Sequence, residues 1–141
     1  MSLKLIPYVI LNGNAREAIG FYEKALGGQV LFSQSFGDMP ASPDYPLPPE
    51  AKERIAHATM QIGDSQLMFS DTFPGQPHQI GTHVTICITT DDKDQARRAY
   101  DALKDGGEIK MPLQETFWSP AYGIVVDKFG VTFQISCEAK A

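Results

Sequence analysis

The chain has 141 residues, of which 43% are hydrophobic and 21% charged, and its net charge is −5 at pH 7. These values are typical of a globular domain with a buried core, and they exclude a disordered or collagen-like chain. The acidic balance argues against a nucleic-acid partner, which usually requires a basic face. The longest apolar runs, such as residues 5–11, are too short to span a bilayer, so no membrane partner is expected.

Cysteine use indicates the compartment. Cys87 and Cys137 each lie in an apolar, strand-like run, which is typical of reduced thiols in a cytoplasmic protein. Residues 1–4 lead into an apolar run without a small-residue cleavage pattern, so no secretory signal is expected. We therefore expect a cytoplasmic localisation.

The first half of the chain predicts one helix between strands. Asn14 and Glu17 have the spacing of a capping box, and apolar residues at helical spacing follow until Gly27-Gly28 ends the helix. Gly63-Asp64 is typical of a tight hairpin. The strands predicted in this half are residues 3–11, 29–36, 55–62 and 65–70.

Two segments predict loops. Residues 37–50 contain five of the ten prolines and form either a lid or an arm that contacts a partner. Residues 71–82 form a second loop, within which we place a boundary between two modules. His78 in this loop is expected to be solvated.

The second half repeats the order of the first. A strand at residues 83–89 precedes Asp91-Asp92, which begin a helix that Gly106-Gly107 ends. The apolar residues of this helix at helical spacing are Ala96, Ala99, Tyr100 and Leu103. The strands predicted after this helix are residues 108–111, 122–126 and 131–137. The sequence therefore predicts an α+β fold, a single domain 1–141 built of two βαβββ modules, 1–72 and 80–141, which bury a core by pairing.

Alternation gives each predicted strand one apolar face and one mixed face. The mixed faces hold Ile55, His57, Thr59 and Gln61; Gln66, Met68 and Ser70; His83, Thr85, Cys87 and Thr89; and Thr132, Gln134 and Ser136. Such faces either meet water or, because Cys87, Met68 and Ile55 are poorly suited to full solvation, line a cavity. We favour curled mixed sheets whose mixed faces line a cavity of moderate polarity.

Short motifs follow one another along nearly the whole chain: PYVILNGNAREA (7–18), FGDMP (36–40), IAHA (55–58), MPL (111–113), ETFW (115–118) and DKFGV (127–131). They resemble the PhnB-like branch of the glyoxalase/bleomycin-resistance/extradiol dioxygenase (vicinal oxygen chelate) superfamily. The resemblance implies paired βαβββ modules that curl into an incomplete barrel around a cavity, in a homodimer.

The resemblance also bears on metal binding. Metal enzymes of this superfamily hold a divalent ion with four His or Glu side chains, and the resemblance puts Pro7, Met68, His83 and Gln134 at those positions. Proline has no ligating side chain, and thioether and amide groups are poor ligands for a hard or borderline ion. We therefore expect no metal cofactor; the alternative is a divalent metal ion held by other ligands.

His57 and His83 are the candidate catalytic residues, because imidazoles titrate near neutral pH. Their alternative role is hydrogen bonding to strand neighbours or to a ligand. Asp71 and Asp127 flank turns and are expected to cap backbone groups. The candidate ligand-binding residues are Met68, Thr85, Cys87, Phe117, Trp118, Tyr122 and Gln134.

Two of these candidates have alternative interpretations. The Cys87 thiol is interpreted as buried and inert rather than nucleophilic. The aromatic group Phe117, Trp118 and Tyr122 forms either a wall of the ligand site or part of a core or dimer interface.

Three functions follow from these interpretations. The first is metal-free binding or sequestration of a small organic molecule. The second is a glyoxalase- or dioxygenase-type lyase or isomerase that uses His57 and His83, with or without a metal ion. The third is a dimer without any small-molecule role.

Overall fold

The computed structural model describes residues 3–40 and 47–139, so part of the predicted loop 37–50 lies outside the described residues. The chain divides into two units, Met1–His78 and Gln79–Ala141. In the described ranges, no helix has both the length and the apolar character that a membrane crossing needs.

Among the residues that the structure describes, each unit has one helix and four strands in the order βαβββ. The first contains β1 (Tyr8–Leu11), α1 (Ala15–Leu26), β2 (Gln29–Ser35), β3 (Ile55–Ile62) and β4 (Ser65–Asp71). The second contains β5 (Ile86–Thr90), α2 (Lys93–Lys104), β6 (Glu108–Gln114), β7 (Tyr122–Val126) and β8 (Thr132–Cys137). Two 3₁₀ turns, Phe36–Asp38 and Pro49–Ala51, lie near the described ends of the proline-rich loop.

The two sheets share one topology. Their strand orders are β1-β4-β3-β2 and β5-β8-β7-β6, and in each sheet the first and fourth strands in sequence pair in parallel while the other pairs are antiparallel. The predicted α+β fold with duplicated βαβββ units and mixed sheets is confirmed. The curvature of the sheets around a cavity stays a prediction.

The apolar stripe of each helix packs on one face of its own sheet. The buried helix residues are Ala15, Ala18, Ile19 and Tyr22 in α1, and Ala96, Ala99, Tyr100 and Leu103 in α2. The Tyr22 ring stacks on Phe69 of β4, with 5.7 Å between ring centroids. Because alternate residues of a strand face opposite sides, burial of Leu67 and Phe69 leaves Met68 on the helix-free face.

The helices begin differently from one another. Asp92 caps α2 as predicted, since its Oδ1 accepts hydrogen bonds from the backbone N–H groups of Asp94 and Gln95. The predicted capping box of α1 is wrong, because the Asn14 side chain makes no cap hydrogen bond. The carboxylate of Asp71, 56 residues beyond Ala15, accepts a hydrogen bond from the N–H of Ala15, the first residue of α1.

Several strand predictions are corrected. The strand predicted over residues 3–11 begins only at Tyr8, and the strand predicted over residues 108–111 continues to Gln114. The strand predicted from residue 83 begins at Ile86, so His83 and Thr85 precede β5. Ile55, which was placed on the mixed face of β3, is 1% exposed. In the pairing with β2, His57 is followed by Ile55, and Ala56 is skipped. This irregularity interrupts the alternation of strand faces that the prediction assumed.

Candidate functional site

A row of uncharged side chains crosses the helix-free face of the first sheet. Met68 of β4 is the cross-strand partner of Tyr8 on β1 and of Thr59 on β3, and Thr59 is in turn the partner of Phe32 on β2. Partners in register project from the same face of a sheet. The row therefore brings a phenol, a thioether, a hydroxyl and a phenyl ring together.

His57 joins this row through both nitrogens of its ring. The Tyr8 hydroxyl lies 2.9 Å from Nδ1, and the Thr59 hydroxyl lies 3.3 Å from Nε2. The Tyr8 and Phe32 ring centroids lie 5.6 and 6.1 Å from that of His57. We call Tyr8, Phe32, His57, Thr59 and Met68 the Tyr8 cluster. Hydrogen bonds at both nitrogens and two neighbouring rings hold the imidazole in a defined orientation.

Tyr8 and Phe32 were not among the candidate residues predicted from the sequence. The sequence places Tyr8 in a strand but does not show which strand lies beside it. The parallel pairing of β1 with β4 brings Tyr8 to a histidine 49 residues away.

The second sheet carries a separate hydrogen-bonded chain on its helix-free face. The Tyr122 hydroxyl donates to Gln134 Oε1 at 2.5 Å, and Gln134 Nε2 donates to Thr85 Oγ1 at 2.8 Å. Cys87 is the cross-strand partner of Gln134. The structure thus brings together four of the predicted ligand-binding residues, which we call the Gln134 chain.

Aromatic side chains extend this surface. Trp118 packs edge-on against Tyr122 and Phe117, with ring centroids 5.3 and 4.7 Å apart. Phe117 is 98% exposed, so its ring is not part of a core of this chain. An exposed phenyl ring beside a tryptophan is suited to contact a ligand or a partner.

His83 and His78 lie outside the strands. His83 is exposed and precedes β5, so its predicted place on a strand face is wrong. His78 is partly buried and donates from Nε2 to the Ile10 carbonyl oxygen at 2.8 Å, so it is more than a solvated loop residue. The predicted approach of His57 to His83 stays a prediction.

The Cys87 thiol lacks the signature of an activated nucleophile. Its predicted burial is wrong, because Cys87 is exposed. Desolvation by the surrounding atoms nevertheless raises the pKa of the thiol above the ordinary value, which lowers the fraction of thiolate at neutral pH. A catalytic cysteine needs the opposite shift of its pKa.

The side chains at the predicted metal positions do not fit a divalent metal ion. Met68 is in register with Tyr8, and Gln134 is in register with Cys87. Gln134 Oε1 is already hydrogen-bonded to Tyr122. Across residues 3–40 and 47–139, no three His, Cys, Asp or Glu side chains are grouped closely enough to hold a metal ion. A thioether, a phenol and an amide are poor donors for Zn²⁺ or Mn²⁺.

Comparison with known proteins identifies the family. The Glyoxalase/Bleomycin resistance protein/Dioxygenase superfamily matches residues 4–135. The chain is 36% identical to Protein YjdN of Escherichia coli (strain K12) in an alignment 143 positions long, which covers 95% of each chain. The two βαβββ units and this match define the class of protein. The chain belongs to the glyoxalase/bleomycin resistance/dioxygenase superfamily.

Solved structures agree with this assignment. Protein PA1353 from Pseudomonas aeruginosa is 38% identical, with a TM-score of 0.86 over 99% of this chain and 100% of that one. The PhnB protein from Bacillus cereus is 20% identical, with a TM-score of 0.77 over 96% of this chain and 99% of that one. The second likeness is one of fold alone.

Proposed function

We propose that this PhnB-like chain binds a small organic molecule on the helix-free faces of its sheets and does so without the superfamily's metal ion. The observation that carries the proposal is the Tyr8 cluster, in which aromatic and apolar surface surrounds a few convergent hydrogen-bonding groups. Binding sites for small molecules combine apolar walls with such polar groups. The Gln134 chain and the Phe117–Trp118 pair supply a second surface of the same character.

The test is a screen of a small-molecule library followed by amide chemical shifts of the ¹⁵N-labelled protein. We expect hits to shift the amide signals of Tyr8, Thr59 and Met68. The Met68→Lys variant should bind these compounds at least tenfold more weakly, because the substitution places a charge on an uncharged face. Ser65→Lys adds the same charge to the exposed start of β4 and should retain them. A library without hits on either sheet face would contradict the proposal.

Proton transfer is the second candidate function, and the contact of Tyr8 with His57 favours it, because imidazole is a common general acid and base. The same library, scored for turnover, tests this function. His57→Ala should abolish any turnover found, whereas a role for His83 requires that His83→Ala does so as well. Turnover that survives both substitutions would rule out the histidine mechanism.

Native mass spectrometry of protein purified without chelators tests the metal-free state and the proposed homodimer together. We expect a mass twice the 15.5 kDa of one chain, with no added mass of a metal ion. The donor set at Met68 and Gln134 is the reason to expect no metal. A stoichiometric divalent ion would contradict metal-free binding, and a single-chain mass would contradict the dimer.

We also propose a cytoplasmic location, because both cysteine thiols are unpaired.

A further inference from the structure

The two units hold a tyrosine hydroxyl in chemically different ways. Tyr8 is held by an imidazole that also contacts Thr59, and Tyr122 is held by a carboxamide that also contacts Thr85. The partner of a hydroxyl decides whether its proton remains available to a ligand. The two partners therefore determine whether each tyrosine hydroxyl can donate a hydrogen bond to a ligand or only accept one.

The hydrogen bonds of the Gln134 chain run in one fixed direction. A carboxamide oxygen only accepts and its nitrogen only donates, so Tyr122 gives its single proton to Gln134 Oε1. The Tyr122 oxygen then has only lone pairs for a ligand. Reversal would require the Gln134 amide to rotate by half a turn and to break both of its hydrogen bonds.

The hydrogen bonds of the Tyr8 cluster can reverse their direction when only protons move. When the His57 proton is on Nε2 it is donated to Thr59 Oγ1, and Nδ1 accepts the Tyr8 proton. When the proton is on Nδ1 it is donated to the Tyr8 oxygen, and the Thr59 hydroxyl donates to Nε2. In the first state Tyr8 offers a ligand an acceptor, and in the second it offers a donor.

The surroundings of Tyr8 define the chemistry of the ligand. Tyr8 is 44% exposed and Phe32 is 50% exposed, so both rings are accessible. Their neighbours Met68 and Thr59 are uncharged, which disfavours desolvation of a charged ligand. Aromatic rings and a thioether favour contact with a planar apolar molecule.

We infer that the Tyr8 cluster binds a neutral, planar aromatic molecule with one oxygen substituent, and that it accepts a hydroxyl or a carbonyl group at that position. Tyr8 contacts the oxygen, and His57 is the positioning residue whose tautomer follows the ligand. This inference rests on the proposed function and adds the class of ligand.

Four probes of similar size test the inference: 2-naphthol, 2-acetylnaphthalene, naphthalene and 2-naphthoate. We expect the first two to bind with affinities within about threefold of each other and about tenfold tighter than naphthalene, as one hydrogen bond allows. The anionic 2-naphthoate should bind more weakly than 2-naphthol. Titrations followed by amide chemical shifts of the first unit give the affinities.

Two further measurements separate recognition by Tyr8 from general apolar contact. Tyr8→Phe should bind 2-naphthol, 2-acetylnaphthalene and naphthalene with equal affinity. Tyr100→Phe removes the hydroxyl of a buried tyrosine in α2 and should keep the preference for the oxygenated probes. The ¹⁵N shifts of the His57 ring should report an Nε2–H tautomer with 2-naphthol and an Nδ1–H tautomer with 2-acetylnaphthalene. One tautomer with both ligands, or an unchanged preference in Tyr8→Phe, would overturn the inference.

Failure of this inference is distinguishable from failure of the proposed function. If library compounds shift the amide signals of the first sheet but the oxygenated naphthalenes do not, the assigned class of ligand is wrong and small-molecule binding stands. If no compound shifts either sheet face, both are wrong.

Discussion

Asp71→Ala is expected to lower the free energy of unfolding by about 3–5 kcal/mol, because it leaves three backbone donors without their acceptor. The carboxylate is 5% exposed at the end of β4. Its Oδ1 accepts from the Gly13 and Ala15 N–H groups at 2.7 and 3.0 Å, and its Oδ2 accepts from the Ile55 N–H at 2.8 Å. One side chain thus joins the start of α1, the start of β3 and the end of β4.

Asp92→Ala is the matched control for Asp71→Ala. Asp92 also accepts from the first N–H groups of a helix, but it is exposed and bonds only within its own turn, so we expect a loss of about 1 kcal/mol. Urea unfolding of both variants gives the difference. Equal losses would show that the bridging role of Asp71 adds no stability.

Asp71 also affects the candidate site, because β1 carries Tyr8 and pairs with the strand that Asp71 ends. Leu11 and Asp71 are partners in the same parallel ladder as Tyr8 and Met68. Ligands of the Tyr8 cluster should therefore lose affinity in Asp71→Ala even at temperatures where the variant is folded. Asp92→Ala should leave that affinity unchanged.

Features that depend on one element were predictable from the sequence. The alternation in β4 separates Leu67 and Phe69 from Met68, and the helical spacing in α2 identifies its buried stripe. Gly63-Asp64 joins β3 to β4, with Ile62 and Ser65 as partners, as the hairpin signal indicated. In each case the physical signal lies within a few residues.

Features that depend on two distant elements were not predictable. Asn14 is a good capping residue by type, but its side chain makes no cap hydrogen bond, and the fold brings the Asp71 carboxylate to the N–H of Ala15, the first residue of α1. Tyr8 reaches His57 only because β1 is inserted in parallel beside β4. Strand periodicity says which residues share a face but not which strands are neighbours.

Gly107→Ala is expected to destabilise the second unit by about 3 kcal/mol, through overlap with backbone atoms. A Cβ at this position would lie 2.2 Å from the Val126 carbonyl oxygen and 2.9 Å from the Asp127 Cα. These atoms belong to β7 and the turn after it, so no side-chain rotation relieves the overlap. The start of β6 must move away from β7, which disturbs the pairing of Glu108 with Val126.

Two other glycines make the mechanism testable by thermal unfolding. A Cβ at Gly28 would lie 2.3 Å from Met60 Sδ, at the end of a flexible side chain, so Gly28→Ala should cost less than Gly107→Ala. Gly20 lies inside α1 with nothing within 4 Å of a Cβ, so Gly20→Ala should raise stability by about 0.5–1 kcal/mol. Because backbone atoms move less readily than side-chain atoms, we expect Gly20→Ala to be the most stable variant, Gly28→Ala the next and Gly107→Ala the least stable. If Gly28→Ala proved as costly as Gly107→Ala, the nature of the contacted atom would not determine the cost.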